Sequence, residues 1–319
     1  VALKLNQLRD VLAVARCGGI RAAARELGLA QPSLTKSIQQ LESQLEVPLF
    51  QRTRQGLRLT SFGEAFVART QAAFAEIQRA EDEVRQMRNS QVGSLCFSMS
   101  GISLLNLLPG ALQSFRQRHA AVQVRVVERP LDEAMAALRA GETEFAVLPE
   151  PAIDIGESFV VEPVLQDRFA VVGRKRHPLQ GATSLAELGG AGWIVTRQGG
   201  ARAVEFEQVF VRRGLPVPRV EVQCESIIGV LALLSRTDLL AALPSLWLHS
   251  EPVRHVCEAF PLPELAESNR TCVVRRVEYP LTPVAESFVA ALVREAAALD
   301  QERVRALASH RPGRVRPPP

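Results

Sequence analysis

The first sixty residues constrain this chain most: three short apolar helical faces, interrupted at fixed places by glycine and proline. Leu5, Leu8, Leu12 and Ala15, with Val11 beside them, share one face of a helix over residues 5–16. Gly18-Gly19 breaks that pattern. A second helix over 20–27 packs through Ala23, Ala24 and Leu27, and Gly28 closes it as a C-terminal glycine does. The third begins near Pro32, whose missing N–H costs nothing in a first turn. Leu34, Ile38, Leu41 and Leu45 recur at steps of four, three and four, so one stripe is buried before Pro48 stops the helix. The opposite side carries Gln31, Ser33, Thr35, Lys36, Gln39 and Gln40.

A short helix followed at a sharp turn by one with a polar, amide-rich face is the helix-turn-helix arrangement. That geometry lays the second helix in the major groove, where glutamine can read adenine and lysine can read guanine or a phosphate. The next ten residues, Phe50 to Leu59, form a hairpin with Arg52, Arg54 and Arg58 and with Gly56 near the tip. A cationic hairpin there suits a wing lying along the phosphate backbone. The candidate DNA contacts are Arg21, Gln31, Pro32, Ser33, Thr35, Lys36, Gln39, Arg52, Thr53 and Arg54. A plain helical subdomain with a charged surface would need helix lengths, polar face and hairpin to agree by chance.

Charge divides the same way. Residues 1–90 carry 13 Lys/Arg against 9 Asp/Glu, and residues 91–299 carry 20 against 23. A basic front on a slightly acidic body suits a polyanion-binding module attached to something else. Ser61-x-x-Glu64 reads as a capping box opening a long helix. Along it Phe66, Thr70, Ala73, Ile77, Ala80, Val84 and Met87 alternate in steps of four and three, an a/d seam of about three heptads. A long helix packed on its own domain would also carry such a stripe. Dimerisation through Phe66, Ala73, Ile77, Ala80, Val84 and Met87 is preferred, because a helix-turn-helix usually meets a two-fold site as a dimer.

With these residues in view, the sequence resembles the LysR-type transcriptional regulators. The resemblance is carried by Ala23-Ala24, Leu27, Gln31-Pro32-Ser33-Leu34, Ile38, Leu41-Glu42, Leu45, Pro48-Leu49-Phe50, Arg52-Thr53, Leu59-Thr60 and Gly63. It departs at Gly19, where the family usually has a capping serine, at Thr35 in place of serine, and at Glu46-Val47 where Leu-Gly is usual. Beyond residue 90 it is looser, carried by Leu108-Pro109, His177-Pro178-Leu179 and Asp238-Leu239-Leu240 with Pro244. It implies an N-terminal winged helix-turn-helix, a long dimerisation helix, and a two-lobed α/β effector domain similar to the periplasmic binding proteins. It further implies a ligand-responsive regulator of bacterial promoters that assembles as a tetramer, with RNA polymerase a candidate partner.

The body supports that division on its own terms. Short β-rich runs at 95–99, 122–127, 145–148, 169–173, 193–196 and 272–277 alternate with helical stretches at 104–118 and 132–140, the latter closed by Gly141. Such alternation predicts an α/β body with mainly parallel sheets. The expected divisions are 1–60 for the winged domain, 61–90 for the dimerisation helix and 91–300 for the effector domain. Within it one lobe takes about 91–165 with 266–300 and the other about 166–265. A disordered Arg- and Pro-rich tail is expected over 301–319.

Three strand-to-helix junctions are the candidate effector site: Ser98 to Ser103, Thr196 to Arg202, and Cys224-Glu225-Ser226. Glycines there admit a ligand close to the backbone, and hydroxyls, amides and arginines favour an anion. The lining residues expected are Ser98, Ser100, Gly101, Ile102, Ser103, Glu128, Thr196, Arg197, Arg202 and Cys224, around a small carboxylate or sulfonate, with an aromatic one among the options. Ordinary helix capping explains each junction separately as well.

No G-x-S-x-G elbow, Walker lysine loop or G-x-G-x-x-G occurs. His255-x-Cys257 with His249 nearby lacks the spacing of a structural zinc site, so neither metal nor cofactor is expected. The five widely spaced cysteines fit free thiols in a reducing compartment. No run is long and apolar enough to span a membrane, and the first residues do not read as a signal peptide. The reading is a cytoplasmic, non-enzymatic, homo-oligomeric regulator binding double-stranded promoter DNA and a small effector. The alternative is an α/β enzyme tethered to DNA by its front end.

Overall fold

The computed structural model describes residues 3–53, 56–88, 93–152, 154–196, 207–262 and 268–309, with the backbone alone at 268, 269 and 304–309. The chain divides into two compact units, Val1–Arg88 with Ala136–Thr143, and Asn89–Met135 with Glu144–Pro319.

In the first unit, α1 (Leu5–Cys17), α2 (Ile20–Leu27) and α3 (Gln31–Leu45) enclose a core of Val11, Val14, Ala23, Ala24, Leu34, Ile38, Leu41 and Leu49. The buried face of α1 is rotated from the one expected: Leu5 is 52% exposed, while Gln7, Asp10, Val11, Ala13 and Val14 are buried. Partners on α3 permit the two polar residues. Ser37 Oγ donates to Asp10 Oδ2 at 2.6 Å, and Gln7 Nε2 donates to Gln44 Oε1 at 3.2 Å. A buried carboxylate is tolerated only when so bonded.

Helix α3 ends before Pro48 can stop it, because Glu46 adopts a left-handed backbone at φ 58°. An antiparallel hairpin follows, β1 (Phe50–Thr53) with β2 (Gly56–Leu59), in register Phe50↔Leu59 to Thr53↔Gly56. The long helix α4 (Ser61–Arg88) is capped by Thr60, one residue earlier than expected. Thr60 Oγ1 accepts from Gly63 N–H at 3.0 Å and donates to Pro48 O at 2.7 Å, which joins the cap to the hairpin's root.

The second unit is built on a seven-stranded mixed sheet: β3 (Gly93–Met99), β4 (Val122–Glu128), β5 (Phe145–Pro149), β6 (Phe159–Arg174), β9 (Ala241–Pro244), β10 (Cys257–Ala259) and β11 (Ser268–Arg276). β7 (Trp193–Val195) and β8 (Val220–Gln223) form a parallel pair, and a parallel bridge joins Trp193 to Leu240 beside β9. The expectation of mainly parallel sheets is corrected. β3 runs parallel to β4 and β5, but β11 runs antiparallel to β5 and β6, and β9 and β10 antiparallel to β6.

The largest departure is β6, expected only over 169–173 and observed as sixteen residues. Its first part pairs with β11 as far as Ser268↔Arg168; from Phe169 onward it pairs with β9 and β10. One strand therefore carries the chain between two sheet halves. Over the first half, Phe97, Phe115, Phe145 and Phe288 cluster with Leu95, Met99 and Leu292. Two smaller cores serve the second half, one around Trp193 and Phe210 and one around Trp247, Ile194, Val230 and Leu234.

The helix expected over 104–118 is two, α5 (Gly101–Asn106) and α6 (Leu108–Arg116), split at Leu107 just ahead of Pro109, which has no N–H to continue the bonding of α5 and sits instead in the first turn of α6. α7 (Leu131–Ala140), α8 (Ile227–Arg236) and the short α9 (Glu251–Arg254) follow. The last helix, α10 (Pro283–Ser309), corrects the expected tail from 301: it continues to Ser309, with Arg303 bonded onto β6. Residues 310–319 lie outside the described residues.

Candidate DNA-reading face and effector cleft

Helix α3 separates its two faces cleanly. Leu34, Ile38 and Leu41 are buried, whereas Gln31, Pro32, Ser33, Lys36 and Gln39 are exposed. Thr35 is half-buried, its hydroxyl returned to Gln31 O at 2.9 Å. Arg21, in the first turn of α2, is exposed, as are Arg52 and Thr53 on the hairpin; Thr53 Oγ1 donates to Gly56 O at 2.9 Å. Arg54, expected at the tip, lies outside the described residues.

Two residues that sequence reasoning passed over set this face. Glu42 Oε1 accepts from Leu49 N–H at 2.7 Å and Phe50 N–H at 3.1 Å, so the hairpin's first strand is pinned to α3 by one carboxylate. Asp10 holds α1 to α3 through Ser37. For Glu42 a signal existed, the one acid on a helix whose only other charge is Lys36. For Asp10 there was none.

On α4, Phe66 is half-buried against the core of the first unit and Thr70 is buried. Farther along, Ala73, Ile77, Ala80, Val84 and Met87 are exposed, with Ile77 at 39%, Val84 at 58% and Met87 at 77%. In a single chain this is an apolar stripe facing solvent.

In the second unit the first and third expected junctions lie close together, and the strand that leads into the second, ending at Val195, lies beside the third. β3 ends at Met99, and Ser100 caps α5, its Oγ accepting from Ser103 N–H at 3.4 Å and lying 2.9 Å from Ser103 Oγ. A Cβ at Gly101 would lie 2.5 Å from Glu128 Oε1 and 3.2 Å from Ile227 Cγ2, so a side chain there would displace the Glu128 carboxylate. The start of α5 thus lies close to Ile227 at the start of α8, with the Glu128 carboxylate beside Gly101. Cys224 N–H donates to Val195 O at 2.9 Å, which sets the third junction beside the second. Ser226 caps α8, its Oγ accepting from Gly229 N–H at 3.3 Å, and Cys224 Sγ lies against Gly229.

Individual residues divide by exposure. Ser98 and Ser103 are buried, and Arg129 Nη1 donates to Ser98 Oγ at 3.4 Å. Ser100, Gly101, Ile102 and Cys224 are half-buried; Glu128 and Thr196 are exposed. Arg197 and Arg202 lie outside the described residues. Among the described residues no group of three or more His, Cys, Asp or Glu is placed to hold a metal, and no helix is long and apolar enough to cross a membrane.

A winged helix-turn-helix and long helix before a mixed α/β domain with convergent strand ends define a DNA-binding regulator with a sensing domain. Comparison with known proteins gives the family. Residues 5–64 match the bacterial regulatory helix-turn-helix proteins of the lysR family, and residues 88–297 match the LysR substrate binding domain. The chain belongs to the LysR family of transcriptional regulators, and so is a regulator rather than an enzyme.

It is 26% identical to the HTH-type transcriptional regulator TdcA of Escherichia coli over 231 residues, 72% of this chain and 74% of that protein. With BudR of Raoultella terrigena it shares 30% over 192 residues, 59% of this chain and 66% of that one. Among solved structures, CbnR in complex with its target DNA superposes at a TM-score of 0.68 with 23% identity, covering 92% of this chain and 100% of that one. Full-length OxyR of Pseudomonas aeruginosa superposes at 0.65 with 18% identity, covering 93% and 95%.

Proposed function

We propose that this regulator binds two-fold promoter sites as a homodimer or higher assembly and responds to a small anionic effector. Helix α3 reads base edges through Gln31, Ser33 and Gln39 and meets a phosphate through Lys36, with Pro32 and Thr35 shaping its first turn. Arg21, Arg52, Thr53 and Arg54 hold phosphates. The observation that carries this reading is the exposed polar face of α3, flanked by an arginine-bearing hairpin that Glu42 ties to the same helix. That CbnR was solved with its target DNA, on a similar fold, supports it. Each phosphate contact releases a condensed counterion, so each should contribute about 0.9 to the slope of log affinity against log salt. Lys36→Ala and Arg52→Ala should each flatten that slope by about one; unchanged slopes in both variants would remove α3 and the wing from the interface.

The exposed stripe of Ala73, Ile77, Ala80, Val84 and Met87 supports pairing of two α4 helices. A DNA site with two half-sites needs such a pairing.

For the effector, the supporting observation is the approach of Ser100, Gly101 and Glu128 to the start of α8 at Cys224, Ser226 and Ile227, beside the strand end at Val195. The reading is of a two-lobed domain that closes on its ligand, a carboxylate or sulfonate, held by hydroxyls and backbone amides and by Arg197 and Arg202. Thermal shift against a panel of aliphatic and aromatic acids tests it. A ligand at ~100 times its dissociation constant stabilises by about 2.7 kcal/mol. No stabilisation by any acid in the panel would remove the anion assignment and leave the DNA reading intact.

A further inference from the structure

The strand that joins the two sheet halves carries a buried acid at its crossover. Asp167 is 2% exposed, two residues before Phe169, where β6 exchanges β11 for β9. Its carboxylate collects donors from both sides. Ser245 Oγ and Leu246 N–H, at the turn that follows β9, donate at 2.6 Å each. Arg303, on the last turns of α10, reaches it at 3.1 Å and also donates to Gln166 O at 2.8 Å.

The pieces tied together belong to different cores. Upstream of Arg303, α10 packs Val284, Phe288 and Leu292 into the core of the first sheet half. Leu246 enters that same core, while its neighbour Trp247 enters the core under α8 in the second half. Consecutive residues of one turn are thus divided between the halves, and the Leu246 amide between them is bonded to Asp167. A change of angle between the halves bends β6 at 167–169 and moves this turn, together with the return of the chain from β10 to β11.

We propose that Asp167 and Arg303 lock this pivot, so that Arg303 is a positioning residue that sets the resting angle of the effector cleft. The proposal rests on the reading of the second unit as a two-lobed sensor. The guanidinium holds the strand by its backbone at Gln166 and by the Asp167 carboxylate, and the carboxylate holds the turn. Without Arg303, Asp167 keeps two neutral donors and no countercharge, and the strand loses its bond at Gln166. The chain then bends more freely at the crossover.

Amide hydrogen exchange on the full-length protein tests the lock without any ligand. Arg303→Ala should speed exchange of the Leu246 amide and of the β6 amides at 169–172 at least tenfold, with β3 and β4 unchanged. Arg303→Lys should recover part of the protection, and Asp167→Asn should reproduce the alanine pattern. A reporter behind a promoter recovered by operator selection should shift its unstimulated output at least twofold in Arg303→Ala, with operator affinity within twofold of wild type.

Unchanged exchange at Leu246, faster exchange spread equally over both halves, or an unshifted reporter would each overturn the proposal. The anion reading has a separate test, since a panel of acids that fails to bind leaves these outcomes as they stand.

Discussion

Removing the Glu42 carboxylate is the sharpest probe of how the reading head is assembled. One oxygen accepts both the Leu49 and the Phe50 amides, at 2.7 and 3.1 Å, and Leu49 is 1% exposed. A hydrogen bond to a charged group contributes about 1.5–3 kcal/mol, and a buried amide left without a partner bears its full desolvation cost. Glu42→Ala should therefore open the root of the hairpin by about 2–3 kcal/mol, a factor of roughly 30 to 160 in local exchange. Glu42→Gln keeps a neutral acceptor and should lose about 1 kcal/mol.

The assay is hydrogen exchange resolved at Leu49 and Phe50, paired with binding to an operator fragment. Affinity should fall with the loosened wing while amides in the middle of α3 stay protected. If Leu49 and Phe50 exchange at the wild-type rate in Glu42→Ala, the claim that this carboxylate fixes the wing to α3 is refuted.

Other predictions follow the same logic. Glu46→Gly relieves a left-handed non-glycine residue at the end of α3 and should stabilise the first unit by about 0.5–1 kcal/mol in chemical denaturation; a loss of stability would contradict the strain. Ile77→Arg and Val84→Asp put charge on the exposed stripe of α4 and should shift sedimentation toward monomer, with the helix-turn-helix still folded. Burial, with Glu302 nearby, holds the Glu295 carboxyl above its ordinary range. A carboxyl raised in the folded state binds its proton more tightly there, so stability falls as pH rises from its unfolded value through the folded one. Glu295→Gln should accordingly raise the melting temperature at pH 7.5, and the gain should vanish below the unfolded carboxyl's range near pH 4.5. Burial pushes the thiols of Cys257 and Cys272 up to about 11, with Glu150 adding to the effect at Cys272. At pH 8 only about one part in a thousand of each is thiolate, so both should resist iodoacetamide until the protein unfolds.

The front of the molecule was legible in the sequence because its helices pack through short, regular apolar stripes; Leu34, Ile38 and Leu41 are buried as their spacing requires. The face of α1 was misread because Gln7 and Asp10 are polar yet buried, and only their partners on α3, distant in sequence, explain it. β6 was seen in part for the same reason. Its inward positions alternate Leu165, Asp167 and then the apolar run from Phe169, and the acid interrupts the pattern that marks a strand. Asp167 is tolerated inside because Ser245, Leu246 and Arg303 surround it, and no local window contains them. The junctions at Ser100, Thr196 and Cys224 were visible as glycine- and serine-bearing strand ends. That Gly101 lies against Glu128 and Ile227 was not, since it depends on how distant segments pack. The break at Leu107 stood in plain view as Leu108-Pro109 and was overridden by an apolar period that runs through it.

In the proposed function α3 and the hairpin read promoter DNA in a paired arrangement. Selection of bound duplexes from a random library by the full-length protein, followed by salt titration of the recovered site, tests it most directly. A two-fold symmetric motif is expected, with Lys36→Ala and Arg52→Ala each lowering the salt slope by about one. Recovery of no motif, or wild-type slopes in both variants, would contradict it.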